Sequence, residues 1–281
     1  MTSRHQILVS AENSPYMAWQ CQLFHYSCVS RLGKVPVIFV HAWNGEWHSG
    51  FSAIIRAGGI VRPAPSYCLT RRGELYPVRN APGTLLEAAK MFAGSDQYLV
   101  LCDPDMIFVR EPAFPEALAA DSISYLNYGK RQVQEAAREF GVSLPAADRQ
   151  RESLCGGVPH IVPVGQAARL AQDWLAATDA FRSTSWETSM YAFGLAVVKR
   201  GLSLNLTHFA TSNRDPDAPA KTEMVHYCYG NSRWNKRHYR KDEHLSGLWE
   251  LRPEAPLETV LGQILMQIAE ARNFYRKDPL W

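Results

Sequence analysis

The run Tyr98-Leu99-Val100-Leu101-Cys102-Asp103-Pro104-Asp105-Met106-Ile107-Phe108-Val109 decides the reading of this chain. Its first five residues form a short, continuously apolar stretch with the length of a buried strand. The strand runs straight into Asp-Pro-Asp, where proline fixes φ and bends the backbone. Two carboxylates spaced i, i+2 in such a bend, rather than in an extended strand, can converge on one hard cation. In layered α/β sheets ligands bind beyond the carboxyl ends of the strands, which is where these acids fall. Asp and Pro are also ordinary turn residues, so the bare pattern equally describes a capped turn. Its place at the lip of an apolar strand favours the cation, because adjacent carboxylates repel unless a positive charge joins them.

Outward from this strand, strand-like and helix-like segments alternate. Residues 6–10 read as a buried strand; Ser14 then caps a helix that opens at Pro15, runs to about Arg31 on Trp19, Leu23, Phe24 and Cys28, and stops at Gly33. A strand over 35–40, a turn-rich stretch over 42–50, a helix over 51–57 and a short strand at 60–61 follow. The Pro- and Arg-rich stretch 62–82 is long for a connection, which marks it as functional or mobile. A helix over 83–92 leads into the Asp-Pro-Asp strand. The second half reads as a strand over 123–126, a polar helix over 132–140, a turn at Cys155-Gly156-Gly157, helices over 166–177 and 186–199, and strands over 203–206 and 223–226. A last amphipathic helix is introduced by Pro256. Alternation without an internal repeat predicts an α/β layered domain with a mostly parallel sheet.

Composition narrows the class further. With 281 residues, 46% apolar and 20% charged, the chain has the makings of one globular domain over 1–281. Its net charge of +3 is mild, but Arg233, Lys236, Arg237, Arg240 and Lys241 cluster around Trp234, His238 and Tyr239 in a segment fit to face phosphate. This basic segment and the last helix, over 232–281, are expected to pack on the same domain. That helix carries Leu257, Val260, Leu261, Ile264, Leu265 and Ile268 on one stripe, with too few basic residues opposite for membrane binding. The six cysteines form no CxxC or Cys/His pattern, which predicts free thiols in a reducing compartment. A polar start, no signal-like apolar region and no run of about 18 apolar residues predict a cytoplasmic chain without a membrane span.

The segment 98–109 resembles the metal-binding segment of the plant hydroxyproline O-arabinosyltransferases and the related peptidyl serine α-galactosyltransferases. Five further blocks agree in order: Tyr16 through Trp19-Gln20, Asn80-Ala81-Pro82, Cys155-Gly156-Gly157-Val158-Pro159, Met190-Tyr191-Ala192-Phe193, and His226-Tyr227-Cys228-Tyr229-Gly230. The likeness extends from Ile7 to Gly230. It implies a GT-A, Rossmann-like fold with a central, mostly parallel mixed sheet flanked by helices. It also implies a metal-dependent, retaining glycosyltransferase that takes a UDP-sugar and Mn²⁺ (or Mg²⁺) and glycosylates a hydroxyl of a peptide or glycan.

Residue by residue, the resemblance implies that Asp105 and His226 are metal ligands and that Asp103 touches the metal or the ribose. A histidine ending a short strand, with Gly230 close behind, suits that role, since neutral imidazole is a common metal ligand. Arg233 and Lys236 are expected to clamp the diphosphate, and Trp19 to lie in the core. Asn13 and Tyr16, at the first strand-to-helix turn, fall where GT-A enzymes bind base and ribose. Asn80 joins the donor-binding set, and Gly156 and Gly157 allow the backbone to approach a ligand closely. One departure stands out: where the plant family has an acid directly before Met-Tyr, this chain has Ser189, and the nearest carboxylate is Glu187. Residues two apart on a helix point about 200° away from each other, so either Trp186 and Glu187 lie in the loop before the helix and Glu187 substitutes, or the acceptor chemistry differs. Glu187 and Ser189 are the catalytic candidates on the acceptor side.

Two rivals share some of these features. A nucleotidyltransferase acting on a sugar phosphate also uses a strand-end acid and a divalent ion, but Ser10 to Pro15 has neither the glycine nor the lysine of its usual phosphate loop. A nucleic-acid partner is not expected, because the basic segment is short and Asp242 and Glu243 follow it.

Overall fold

The structure is a computed structural model that describes residues 4–41 and 45–276; part of the turn-rich stretch, 42–44, and the last residues of the chain lie outside the described residues. In chain order the elements are β1 (His5–Glu12), α1 (Pro15–Leu32), β2 (Val37–His41), α2 (Ser49–Arg56), β3 (Ile60–Ala64), α3 (Asn80–Met91), β4 (Tyr98–Cys102), β5 (Met106–Phe108) and β6 (Ala119–Ser122). They continue with α4 (Arg131–Phe140), α5 (Ala147–Ser153), β7 (Gly156–Pro163), α6 (Val164–Asp179), α7 (Thr188–Lys199), β8 (Asn205–Thr207), β9 (Ala210–Ser212), β10 (Met224–His226), α8 (Asp242–Trp249) and α9 (Val260–Tyr275). Helices flank a mostly parallel mixed sheet in the order β3-β2-β1-β4-β7-β6-β8; a second, three-stranded sheet runs β5-β10-β9. In the larger sheet β7 runs antiparallel to both β4 and β6, and β8 parallel to β6. The chain resolves into two compact units, one of Met1–Leu8, Ala64–Cys102 and Phe114–Thr207, the other of Val9–Pro63, Asp103–Ala113 and His208–Trp281.

The second unit carries the Asp-Pro-Asp turn, and its local signals are strong. Ser14 Oγ accepts from Met17 N, Pro15 opens α1, and Gly33 closes it in the left-handed region at φ 62°, its N–H donating to Val29 O at 3.1 Å and that of Lys34 to Cys28 O at 3.4 Å. Trp19, Leu23, Phe24 and Cys28 are fully buried, as their spacing predicts. The stripe of α9 packs inside this unit: Val260, Leu261, Ile264, Leu265 and Ile268 join Trp19, Tyr227 and Trp234 in one cluster. Full burial of such side chains stabilises by about 1.5–3 kcal/mol each, enough to fix α9 in place. Leu257 precedes the helix, which Thr259 caps, and is exposed.

In the first unit β4 is buried from Leu99 to Cys102, with Leu99, Val100 and Leu101 at most 1% exposed. Three expectations are corrected there. The strand expected over 123–126 lies at Ala119–Ser122, because pairing with β7 and β8 selects Ala-Ala-Asp-Ser although its residues have weak strand preference. Cys155-Gly156-Gly157 is no turn; Gly156 begins the eight-residue strand β7. A Cβ on Gly156 would stand 2.7 Å from Ala120 Cβ, and one on Gly157 2.7 Å from Ile123 Cγ1. The glycines therefore admit neighbouring side chains at the bulge between Ala120 and Asp121. Finally α7 starts at Thr188, with Glu187 as its N-cap residue, so Glu187 ends the preceding loop.

From Ala64 onward the stretch 62–82 is tied down within the same unit. Arg79, itself buried, pairs with Asp179 and donates to Tyr67 O at 2.9 Å, while Glu74 Oε1 accepts from Thr184 N and Oγ1 at 3.1 and 2.5 Å. Among the described residues no helix is long and apolar enough to cross a membrane. All six cysteines are free thiols.

Candidate metal centre

The chain leaves β4 through Asp103-Pro104-Asp105 and immediately enters β5, which pairs antiparallel with β10. That register sets His226 opposite Met106, the residue next to Asp105. Tyr227 then clamps the turn, its N–H donating to Asp105 O at 2.9 Å and its hydroxyl to Pro104 O at 3.3 Å. Two side chains more than 100 residues apart in sequence thus meet: His226 Nε2 lies 3.2 Å from Asp105 Oδ1 and 3.8 Å from Asp103 Oδ2. One donor atom from each of Asp103, Asp105 and His226 falls within 4.8 Å of the others.

A fourth group completes the cluster. Lys236 starts a short 3₁₀ turn capped by Asn235, whose Oδ1 accepts from Arg237 N at 3.0 Å, and its buried ammonium donates to Asp105 Oδ2. The ammonium also lies 5.8 Å from the Tyr16 ring centre and 6.0 Å from that of Tyr227, within cation–π range. Trp19 backs the cluster, stacked on Tyr227 at 6.1 Å, its indole N–H donating to Tyr239 O at 2.9 Å.

These neighbours divide the protons unequally. Burial and the adjacent Asp105 push the Asp103 carboxyl up to about 6, against the pull of His226 and Lys236. For Asp105, burial is opposed and outweighed by Lys236 and His226, which hold it below the ordinary carboxylate range. His226 is likewise raised above an ordinary imidazole, since Asp105 and Asp103 overcome the effect of burial. Two carboxylate oxygens and an imidazole nitrogen at this spacing are a donor set suited to a divalent cation such as Mn²⁺.

The other expected residues are placed as follows. In the same unit, Asn13 spends its side chain on the loop after β2, donating to Glu46 O at 2.7 Å and accepting from His48 N at 3.0 Å. Tyr16 lies under Lys236 and Arg240, the latter 5.6 Å from its ring centre. Arg233 pairs with Asp217 rather than with the acids, and is exposed. The other unit holds the rest. Asn80 is buried and accepts from Tyr67 N at 2.9 Å; Gly156 and Gly157 lie within β7; Glu187 pairs with Lys130 Nζ at 2.6 Å. Ser189 is buried, its N–H donating to Tyr76 Oη at 3.0 Å and its carbonyl accepting from Trp174 Nε1 at 2.7 Å. Sequence reasoning missed the clamp made by Tyr227 and the cap made by Asn235. The His-Tyr pair at 226–227 was the available signal, because a residue directly following a candidate ligand in a strand is placed to hold the opposite backbone.

A model of the hydroxyproline O-arabinosyltransferase family, covering its N-terminal domain, matches residues 57–206, more than half of the chain. The chain belongs to this family. The matched stretch contains Asp103 and Asp105 and ends before His226. Hydroxyproline O-arabinosyltransferase 1 of Arabidopsis thaliana is 21% identical over an alignment of 243 residues that covers 79% of this chain and 63% of that protein. The family member described here therefore spans less than two thirds of that relative.

Among solved structures, an active-site mutant of LgtC superposes with TM-score 0.53 at 11% identity, covering 86% of this chain and 95% of that one. The galactosyltransferase LgtC in complex with donor and acceptor sugar analogues gives 0.52 at 12%, covering 86% and 93%. The bifunctional glycosyltransferase WbbM gives 0.50 at 13%, covering 96% and 52%. At these identities the likeness establishes the fold: this arabinosyltransferase-family chain has the GT-A fold.

Proposed function

We propose that the chain is a metal-dependent glycosyltransferase that moves a sugar from a UDP-sugar to a hydroxyl of a peptide or glycan, with retention at the anomeric carbon. The observation that carries this reading is the convergence of Asp103, Asp105 and His226 within 4.8 Å at a turn between strands of a GT-A fold. Asp105 already accepts one positive charge, the Lys236 ammonium, which supports a cation as the natural complement of the pair of acids. Mn²⁺ (or Mg²⁺) held by these three residues would neutralise the diphosphate and stabilise the charge that develops on it as the sugar departs.

The chain's own residues do the rest by position and charge. Lys236, fixed on its capped turn, offers a charge-assisted hydrogen bond to the same diphosphate. Arg233 is exposed and reaches phosphate only by leaving Asp217. Tyr16 supplies a ring face for base or ribose, and Asn13 holds the loop beside it. Asn80, Gly156 and Gly157 remain in the proposed donor-binding set on the strength of the family resemblance. On the acceptor side Glu187 is the stronger candidate, because its side chain is partly exposed where Ser189 is buried.

In the proposed step the acceptor oxygen bonds to the anomeric carbon as the bond to the diphosphate breaks on the same face. The hydroxyl proton passes to the departing diphosphate oxygen. No enzyme nucleophile is required, and catalysis comes from orientation and fixed charge. One catalytic domain over 1–281 and a cytoplasmic setting belong to the same proposal, the latter supported by the six free thiols. The family match and the GT-A fold do not favour the nucleotidyltransferase alternative.

The test is a panel of UDP-sugars screened for Mn²⁺-dependent hydrolysis and transfer. Asp105→Ala and His226→Ala are each expected to lower the rate at least a hundredfold while the circular dichroism spectrum stays that of the wild type. Full activity in His226→Ala removes the metal assignment.

A further inference from the structure

Within the first unit two large aromatic side chains stand in water side by side. Trp186 is 62% exposed and Tyr125 44% exposed, with ring centroids 5.4 Å apart and planes inclined at 49°. Two rings at that angle form a shallow trough.

The trough is built rather than loose. Tyr125 Oη reaches Met190 Sδ at 3.7 Å. The loop carrying Trp186 is bracketed on one side by Glu74, which accepts from Thr184 N and Oγ1. On the other side Ser185 N donates to Thr188 Oγ1 at 2.8 Å and Thr188 N to Ser185 O at 3.0 Å. An indole held out of the core by such a framework gives up burial, and a pre-ordered ring costs a ligand little further ordering on binding.

The charged pair that follows Trp186 selects the ligand. Glu187, next to Trp186 in sequence, receives Lys130 Nζ on Oε2 at 2.6 Å. Each carboxylate oxygen offers two acceptor sites, so the pair presents acceptors, with ammonium donors beside them. Exposed aromatic rings, followed in the chain by a carboxylate that is paired with an ammonium, match a sugar ring, which shows C–H groups on one face and hydroxyls around its rim.

We propose that Tyr125, Trp186, Glu187 and Lys130 form a saccharide-binding platform, on which a sugar ring of a glycan acceptor stacks. As an acceptor subsite this rests on the glycosyltransferase reading; as a binding surface it is tested without turnover. Methyl β-D-galactopyranoside, methyl β-D-glucopyranoside and lactose are titrated against the whole chain and followed by saturation-transfer NMR. At least one is expected to bind, with the C–H protons of one ring face most strongly saturated. Trp186→Ala should weaken that binding at least tenfold, Trp186→Phe by less than threefold, and Leu69→Ala, an exposed residue on another segment, should leave it unchanged.

Absence of saccharide binding overturns the platform, as does equal binding by wild type and Trp186→Ala. Binding of a prolyl-rich peptide in place of any saccharide, lost in Trp186→Ala, also overturns it and assigns the trough to peptide. UDP-sugar hydrolysis reports on the donor side alone. A chain that hydrolyses donor but binds no saccharide refutes only the platform, and one that binds saccharide through Trp186 but acts on no donor refutes only the glycosyltransferase reading.

Discussion

Lys236 donates its ammonium to one oxygen of Asp105 while His226 Nε2 stands 3.2 Å from the other. Asp105 is therefore shared between a fixed cation and a candidate metal ligand. At roughly 4 Å and an effective dielectric of about 20, two unit charges interact by about 4 kcal/mol, so the ammonium and an incoming cation compete appreciably. Lys236→Met is expected to tighten Mn²⁺ binding at least tenfold in the absence of nucleotide, measured by isothermal titration calorimetry. Hydrolysis of the UDP-sugar should fall at least a hundredfold in the same variant, because the diphosphate loses its fixed partner. Weaker Mn²⁺ binding would show that the ammonium supports the site instead of competing for it.

The raised carboxyl of Asp103, at about 6, and the raised imidazole of His226 set the pH response of the same site. Both groups must lose their protons to bind a cation, so binding releases protons and weakens as pH falls through 6. The apparent Mn²⁺ affinity is expected to drop at least tenfold between pH 7 and pH 5. Asp103→Asn should flatten this response. Calorimetry in buffers of different ionisation enthalpy would count the protons, and a pH-independent affinity would contradict the assignment.

How much of this was legible depended on how local the cause is. Ser14, Pro15 and Gly33 act within a turn of themselves, so α1 could be bounded closely from sequence. The Asp-Pro-Asp turn announced itself because a strand and a breaker are adjacent. Glu187's position before α7 was one of two open readings, and backbone geometry chose between them. By contrast β6 owes its register to β7 and β8, and nothing in Ala-Ala-Asp-Ser encodes those partners. Gly156 and Gly157 read as punctuation, yet they serve a strand whose neighbours crowd it. The Lys236–Asp105 bond spans 131 positions, and only the folded chain reveals it.

The crowding at β7 gives a direct stability test. A methyl on Gly156 would meet Ala120 Cβ at 2.7 Å and Leu204 Cδ2 at 3.3 Å, and the pairing of Gly156 with Ser122 of β6 leaves little room to give. Overpacking of this kind costs about 1–3 kcal/mol. Gly156→Ala is expected to lower the urea midpoint with an unchanged m-value. Ala120→Gly in the same chain should recover part of the loss, and a neutral Gly156→Ala would mean that the strand shifts to accept the methyl.

His160 carries the last prediction. It is 2% exposed on β7, wedged 4.2 Å from the Phe193 ring centre and 4.9 Å from that of Trp174, and neither ring nitrogen has a hydrogen-bond partner among the described residues. Burial alone pushes its pKa down to about 3, and burial also lowers His25 to about 4. An unfolded chain takes up a proton at each site near pH 6.5, whereas the folded chain does not until far lower. Below pH 6.5 the unfolded state thus binds more protons, and stability falls as pH falls, by up to about 1.4 kcal/mol per pH unit for each histidine, until the folded pKa is reached. The contribution is complete above pH 6.5 and is lost between there and about 3 for His160. His160→Leu removes one such site and the two orphaned nitrogens, at nearly matched volume. Its stability relative to wild type, from urea unfolding at pH 7.5, 6.0 and 5.0, should rise as pH falls. A constant difference across that range would mean that His160 is protonated inside the fold.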